Sequence, residues 1–165
     1  MKLRTTMAAT AAAVLAVAGL SATPAFADDP APTCYGDYCS GQDPAATNCA
    51  IGARTIYWVD LSGARLELRW SDRCQTNWAR WNQYPVGMKS DQLVTLAAVQ
   101  ETGYTQTFQL GDGVNGSPEG TYWSPMIYSP TLKVKAAATV WCGGMSLLDA
   151  AFDCATSGKV ETPAG

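Results

Sequence analysis

Hydrophobic and polar residues alternate over much of the chain, in short runs separated by turn residues. The run TIYWVDL (55–61) is β-branched and aromatic, Ser62-Gly63 follows as a turn, and RLELRWSDRCQTNWAR (65–80) alternates again except at Asp72. Period-two alternation predicts strands with one apolar and one solvated face. For 65–80, the predicted core face comprises Leu66, Leu68, Trp70, Cys74 and Trp78.

Later stretches continue this pattern, with turn signals about every ten residues. Pro125 confines the stretch 121–129 to a sheet edge or a bulge. One helix candidate follows at 145–154. The predicted strands are LVTLAAVQ (93–100), YTQTFQL (104–110), TYWSPMIYS (121–129) and LKVKAAATVWC (132–142). Six or seven short strands predict an all-β fold, a small antiparallel barrel or sandwich with an irregular N-terminal loop.

The first residues have the pattern of a secretory signal peptide. A basic start at Lys2 and Arg4 precedes an apolar run (7–20), and Ala25-Phe26-Ala27 matches a cleavage site. No later segment approaches the roughly 18 apolar residues that a membrane helix needs. We therefore expect a secreted, extracellular protein without a membrane span.

Cleavage after residue 27 defines the predicted organisation. It gives a signal peptide (1–27), a flexible tail (28–33), one disulfide-stapled β domain (34–154) and a C-terminal tail (155–165). Loss of Lys2 and Arg4 from eleven basic residues leaves nine against fourteen acidic ones, a net charge of −5. An acidic protein has no overall attraction for nucleic acid, which is therefore not an expected partner.

Six cysteines lie after the signal peptide, and an even number in an exported chain predicts three disulfides. We favour Cys34 with Cys39, Cys49 with Cys74, and Cys142 with Cys154. The alternative crosses the first four, as Cys34 with Cys49 and Cys39 with Cys74. A zinc site is disfavoured because the chain has no histidine and no tight C-x2-C spacing. We predict neither a metal nor a cofactor.

The absence of histidine also removes Ser-His-Asp and Cys-His catalysis, so no catalytic residue is predicted. Carboxylate chemistry is what remains for an enzyme, as in glycoside hydrolysis. The four candidate carboxylates also have structural interpretations. Asp43 can be a turn cap and Asp60 a strand-end residue. Glu67 can form a charge ladder with Arg65 and Arg69, and Asp72 can mark a kink.

Tryptophan and tyrosine supply the other candidate chemistry. The alternation places Trp58, Trp70 and Trp78 in the core. Aromatic rings next to arginines are typical of binding surfaces. The candidate binding residues are Arg69, Arg80, Trp81, Tyr84 and Trp123.

The cysteine-rich stretch CYGDYCSGQDPAATNCAIGART and the later LELRWSDRCQTNWAR together resemble a secreted bacterial family, domain of unknown function 2690, which includes the YjfA-like proteins of Gram-positive bacteria. YWSPMIYS (122–129) is similar to a later motif of that family, and the resemblance covers about 34–136. The family carries no assigned activity. The motif positions are Cys34, Gly36, Cys39, Gly41, Asp43, Pro44, Cys49, Ala53, Arg54, Thr55, Leu68, Arg69, Trp70, Ser71, Cys74, Trp78, Ala79 and Arg80.

These observations lead to three functional hypotheses. We expect a non-catalytic module at the cell envelope, with an unknown peptide, protein or glycan as its partner. The alternative is a small carboxylate-dependent hydrolase of cell-wall polysaccharide. A weaker alternative is a secreted protease inhibitor that presents the loop 34–49.

Overall fold

A computed structural model of the protein describes residues 29–61, 64–83, 92–110, 120–142 and 158–165. The predicted signal peptide, Tyr84 and the helix candidate at 145–154 lie outside these ranges. A short 3₁₀ helix, Gly36–Cys39, precedes nine strands. They are β1 Arg54–Leu61, β2 Ala64–Ser71, β3 Thr76–Gln83, β4 Gln92–Gln100, β5 Thr105–Leu110, β6 Gly120–Trp123, β7 Ile127–Tyr128, β8 Val134–Cys142 and β9 Gly158–Glu161.

The strands form two antiparallel sheets. The first sheet has the order β1-β2-β3-β6, and β7 also pairs with β3; the second has the order β5-β4-β8-β9. The all-β prediction is confirmed, although the described residues hold more strands than expected. Two of the additional strands arise because 65–80 divides into two strands and 121–129 is interrupted around Pro125. No helix among the described residues is long and apolar enough to cross a membrane.

The two sheets pack face to face, as in a sandwich. β2 and β3 contribute Leu66, Leu68 and Trp81 to the core, and β4 and β8 contribute residues that alternate along each strand. Alternation with period two explains this arrangement, since every second side chain points to the same face. The core residues from β4 and β8 are Val94, Leu96, Ala98, Val134, Ala136 and Ala138.

The stretch 65–80 is a hairpin and not one strand. Its turn lies between Ser71 and Thr76, and Gln75 within it has a φ of 53°, in the left-handed region. The register pairs even-numbered residues of β2 with odd-numbered residues of β3, as in Leu68 with Ala79. Directly paired residues share a face, so β3 turns Trp81 into the core and Trp78 to the opposite face. The predicted single apolar face was therefore wrong.

Trp58 is also placed differently from its prediction as a core residue, because 57% of its surface is exposed. β1 is an edge strand, and its register with β2 shifts between Thr55 and Tyr57. This irregularity changes the alternation, and Trp58 then pairs with Glu67 on the outer face of the first sheet. Trp70, predicted as core, is half-buried, and Leu132 precedes β8 and is 40% exposed.

The cysteine-rich segment covers one end of that outer face. Disulfides join Cys34 to Cys39 and Cys49 to Cys74, the first two pairs that the sequence favoured. These four residues pack with Trp78 and Met126 in a second buried cluster. Their sulfurs lie within 4.8 Å of one another, but each is bonded to another sulfur, so none is free to bind a metal. The third predicted pair, Cys142 with Cys154, lies outside the described side chains.

The two predicted tails contact the domain. At the N-terminal end, Pro30 and Ala31 accept hydrogen bonds from Arg73 and Asn48, which the prediction of a flexible tail did not include. At the other end, the structure differs from the predicted C-terminal tail, because 158–161 forms β9 against β8. Gly165 then exchanges two backbone hydrogen bonds with Val134. A four-residue strand gives too short an alternation to be recognised in the sequence.

Candidate functional site

Four side chains form a row across the outer face of the first sheet. Trp58 pairs with Glu67, Glu67 with Arg80, and Arg80 with Trp123, one residue from each of β1, β2, β3 and β6. Neighbouring strands lie about 4.8 Å apart, so three spacings separate the two tryptophans by about 14 Å. We call these four residues the outer row. It carries an aromatic residue at each end and an ion pair between them.

Glu67 lies at the bottom of the outer row and is 5% exposed. Its Oε2 accepts hydrogen bonds from Arg80, with Nε at 2.8 Å, and from the Thr55 hydroxyl at 2.9 Å. Its Oε1 accepts one from the Asn82 amide at 2.9 Å. A buried carboxylate requires such partners, because isolated burial of its charge is costly. Both oxygens of Glu67 are therefore engaged in holding three strands together.

Arg69 lies beside this network and contributes little surface, since its side chain is 12% exposed. It donates to the Thr55 hydroxyl at 2.6 Å and to the Ala53 carbonyl, and its Nη1 is 3.9 Å from Glu67. Burial and the nearby charge of Arg80 lower the pKa of Arg69, against the opposing effect of Glu67. Arg69 therefore joins the sheet to the cysteine-rich segment and offers little contact to a ligand.

Trp58 and Trp123 are both held by polar partners. The Arg65 guanidinium lies 5.7 Å from the Trp58 ring centroid, and Arg65 itself donates to both oxygens of Asp60, at 2.6 and 3.0 Å. The Trp123 indole nitrogen donates to Asp43 at 3.0 Å. Rings restrained in this way lose little conformational freedom when they bind a partner.

Asp43 connects Trp123 to the turn that follows the 3₁₀ helix. Its Oδ1 accepts hydrogen bonds from the amides of Ala45 and Ala46, at 2.7 and 3.0 Å, which is the capping role predicted for it. Burial raises the pKa of Asp43, but the Ala46 amide, the Trp123 indole and the Ala45 amide outweigh it and lower the pKa overall. Asp43 is therefore held ionised beside the tryptophan.

A cavity of about 290 Å³ opens next to Trp123, at the edge where β5 and β6 lie. Phe108 on β5 is 38% exposed there, and Thr121 is exposed as well. The cavity extends the outer row beyond Trp123 with aromatic and polar surface. Its lining consists of Gly41, Asp43, Phe108, Thr121, Tyr122, Trp123 and Pro125.

The structure brings two of the predicted binding residues, Arg80 and Trp123, next to each other in the outer row. Arg69 lies in the network below, and Tyr84 is outside the described residues. The prediction of Trp81 as a binding residue was wrong, because it is 1% exposed in the core. Sequence reasoning missed Trp58, whose exposure depends on the irregular register of an edge strand.

Comparison with protein families identifies a model described as "Protein of unknown function (DUF2690)", which matches residues 37–140. Neither the comparison with curated proteins nor that with solved structures gives a match. The matched range begins in the 3₁₀ helix and ends in β8, so it includes all four residues of the outer row. The chain belongs to the DUF2690 family.

Proposed function

We propose that the protein is a non-catalytic module that acts outside the cell and binds an extended glycan across the outer row. The observation that carries this proposal is the pair of tryptophans at the two ends of one cross-strand row, the exposed Trp58 and the partly buried Trp123. Sugar rings present flat apolar faces that pack on aromatic rings, and their hydroxyls suit charged and amide side chains between those rings.

A glycan is favoured over a peptide because of where the row lies. Extended peptides commonly bind by adding a strand to a sheet edge, where main-chain groups are unpaired. Glu67 and Arg80 lie instead on the two central strands, whose main chains already pair on both sides. A ligand on this face therefore meets side chains only, which suits a ring-shaped and hydroxyl-rich partner.

The positions of the carboxylates support a non-catalytic role. A glycoside hydrolase needs one carboxyl group that stays protonated as an acid. The pKa of Asp43 is lowered, which is the opposite of what an acid requires. Both oxygens of Glu67 accept hydrogen bonds within the sheet. The two disulfides and the signal-like first residues support an extracellular location.

Sedimentation with insoluble polysaccharides and with isolated bacterial cell walls tests the proposal. We expect the mature protein to sediment with at least one glycan, and Trp58→Ala and Trp123→Ala each to weaken binding about tenfold or more. Tyr38→Ala is the matched control, because Tyr38 is 87% exposed but lies in the 3₁₀ helix, outside the row. Circular dichroism establishes that each variant is folded.

Two results would overturn this proposal. One is the absence of binding to every glycan and wall preparation, and the other is equal binding by the native protein and both tryptophan variants. Binding of wall peptides that persists after enzymatic removal of the glycan would move the function to the peptide class. Release of soluble sugar from the walls would show that the module is an enzyme.

A further inference from the structure

A second cavity, of about 440 Å³, lies where three parts of the chain meet. The cysteine-rich segment contributes Asp37 and Ser40 to its lining, and β7 with the residues after it contributes 128–132. The end of β4 and the turn that follows contribute Gln100 and Tyr104. The volume falls within the range of small-molecule sites. We call this cavity the three-segment cavity; it shares no lining residue with the outer row or with the cavity that extends that row.

Hydrogen bonds hold the walls of the three-segment cavity in place. The backbone amide of Tyr128 donates to the Ser40 hydroxyl at 2.9 Å, which joins the cysteine-rich segment to β7. The side-chain amide of Gln100 donates to the Ser129 hydroxyl at 3.1 Å, and that hydroxyl donates to the Leu132 carbonyl at 2.6 Å. Walls fixed in this way lose little conformational freedom when a ligand binds.

Two tyrosines supply the aromatic surface of this cavity. Tyr104 is 46% exposed, and its hydroxyl accepts a hydrogen bond from the Gln106 amide at 2.6 Å. Tyr128 is half-buried, and its hydroxyl donates to the Gln75 side chain at 3.3 Å. Each ring is therefore held at its hydroxyl by a glutamine. Aromatic rings attract cations, because the face of the ring carries partial negative charge.

The charge at this cavity is negative. Asp37 is exposed, and its carboxylate has neither an ion pair nor a hydrogen bond among the described residues. The lining holds no lysine or arginine within the part of the chain that the structure describes. Glu101, next to Gln100, adds a second carboxylate nearby, whose hydrogen-bond partner is the neutral backbone amide of Lys133 at 3.2 Å. Lys133 itself lines a different cavity. The three-segment cavity therefore complements a cation.

We propose that the three-segment cavity binds a small organic ammonium ion, with its charge between the Asp37 carboxylate and the rings of Tyr104 and Tyr128. The carboxylate supplies an ion pair, and the rings supply a cation–π attraction. Alkyl groups on the nitrogen pack on the same rings, which removes apolar surface from water. This site does not depend on the function proposed for the outer row, since its lining residues are different.

Nitrogen–proton correlation NMR of the mature protein tests this site with two matched probes. Choline carries an alkylated ammonium head, and its uncharged analogue is the alcohol in which a tert-butyl group replaces the trimethylammonium group. At low ionic strength, where exposed charges are least screened, we expect millimolar choline to shift the backbone amides of Asp37, Tyr104 and Thr131 saturably. The uncharged analogue should bind at least about fivefold more weakly, because it loses the ion pair and the cation–π attraction.

Asp37→Asn and Tyr104→Leu should each weaken choline binding about threefold, since each removes one of the two attractions. Asp72→Asn is the control for the loss of one exposed carboxylate, and Tyr57→Leu is the control for the loss of a partly exposed ring, because neither residue lines the cavity. Circular dichroism establishes that each variant is folded.

Equal affinity for choline and its uncharged analogue would overturn the cationic class of ligand. The site itself would be overturned by the absence of saturable shifts at the cavity or by unchanged affinity in either cavity variant. Losses of the same size in the two control variants would overturn it as well.

Discussion

Glu67 and Arg80 face each other across β2 and β3, with the Arg80 Nε donating to Glu67 Oε2 at 2.8 Å. The acid is almost fully buried, whereas the Arg80 side chain keeps 29% of its surface exposed. A second arginine, Arg69, stands on the other side of the acid. One buried carboxylate is therefore the shared counter-charge of two partly buried cations.

Glu67→Gln removes the negative charge and keeps the shape of the side chain. We expect a loss of about 3 kcal/mol in the free energy of unfolding, because the two arginines remain half-buried without a counter-charge. Chemical denaturation measures this change. Asp72→Asn is the control, since the Arg54–Asp72 pair is 60% and 68% exposed and should contribute less than about 1 kcal/mol. Equal losses in the two variants would contradict a structural role for Glu67.

The lowered pKa of Asp43 predicts that this residue stabilises the fold less as pH falls. Its pKa is lowered in the folded protein, so its contribution is complete above the ordinary aspartate value of about 3.9 and disappears as pH falls through the lower folded value. Asp43→Asn removes this contribution. The difference in unfolding free energy between the native protein and Asp43→Asn should therefore shrink as pH falls below about 4. A difference that stays constant down to pH 2 would contradict it.

The neighbouring disulfides predict an exchange reaction. Cys34 Sγ lies 3.6 Å from Cys49 Sγ, across the two bonds. In Cys39→Ser, the freed Cys34 thiolate should attack Cys49, form a Cys34–Cys49 bond and release the Cys74 thiolate. Alkylation at mildly alkaline pH followed by peptide mapping should find the label on Cys74. In the Cys34→Ser control, the Cys49–Cys74 bond should persist, and label confined to Cys34 in Cys39→Ser would contradict the exchange.

Truncation of Trp81 and of Trp58 should lower the free energy of unfolding by very different amounts. Trp81→Ala should cost about 3–5 kcal/mol in unfolding free energy, because it empties a large volume in the core. Trp58→Ala should cost less than about 1 kcal/mol, since 57% of that residue is already exposed. Thermal and chemical denaturation of the two variants compares them. Similar losses in the two variants would contradict the prediction that only the buried ring is important for stability.

Much of this fold follows from local alternation. Leu66 and Leu68 were correctly assigned to the core, and Asp43 was correctly assigned as a cap, because each depends on residues only a few positions away. Trp78 is buried as predicted, but with the cysteines on the opposite face, and Trp81 enters the main core instead of the surface. A turn intervenes between β2 and β3, and the number of residues in a turn decides which face follows.

The candidate site was harder to predict, since it is assembled across strands. Arg80 and Trp123 were recognised as aromatic and basic residues, but their contact depends on β3 pairing with β6 over a long separation in the chain. Trp58 joins them only because β1 has an irregular register at the edge of the sheet. Sequence alone gives residue types at such a site, while the pairing of strands decides which of them meet.

The number of residues in the turn between Ser71 and Thr76 thus decides which side chains of β3 point to the core and which point to the outer face. One extra residue there would exchange the two sides of the strand, sending Arg80 towards the core and Trp81 towards the water. A chain with the same sequence and one residue inserted in this turn would still have the alternation that forms strands, but it would lose both the packing of the core and the outer row.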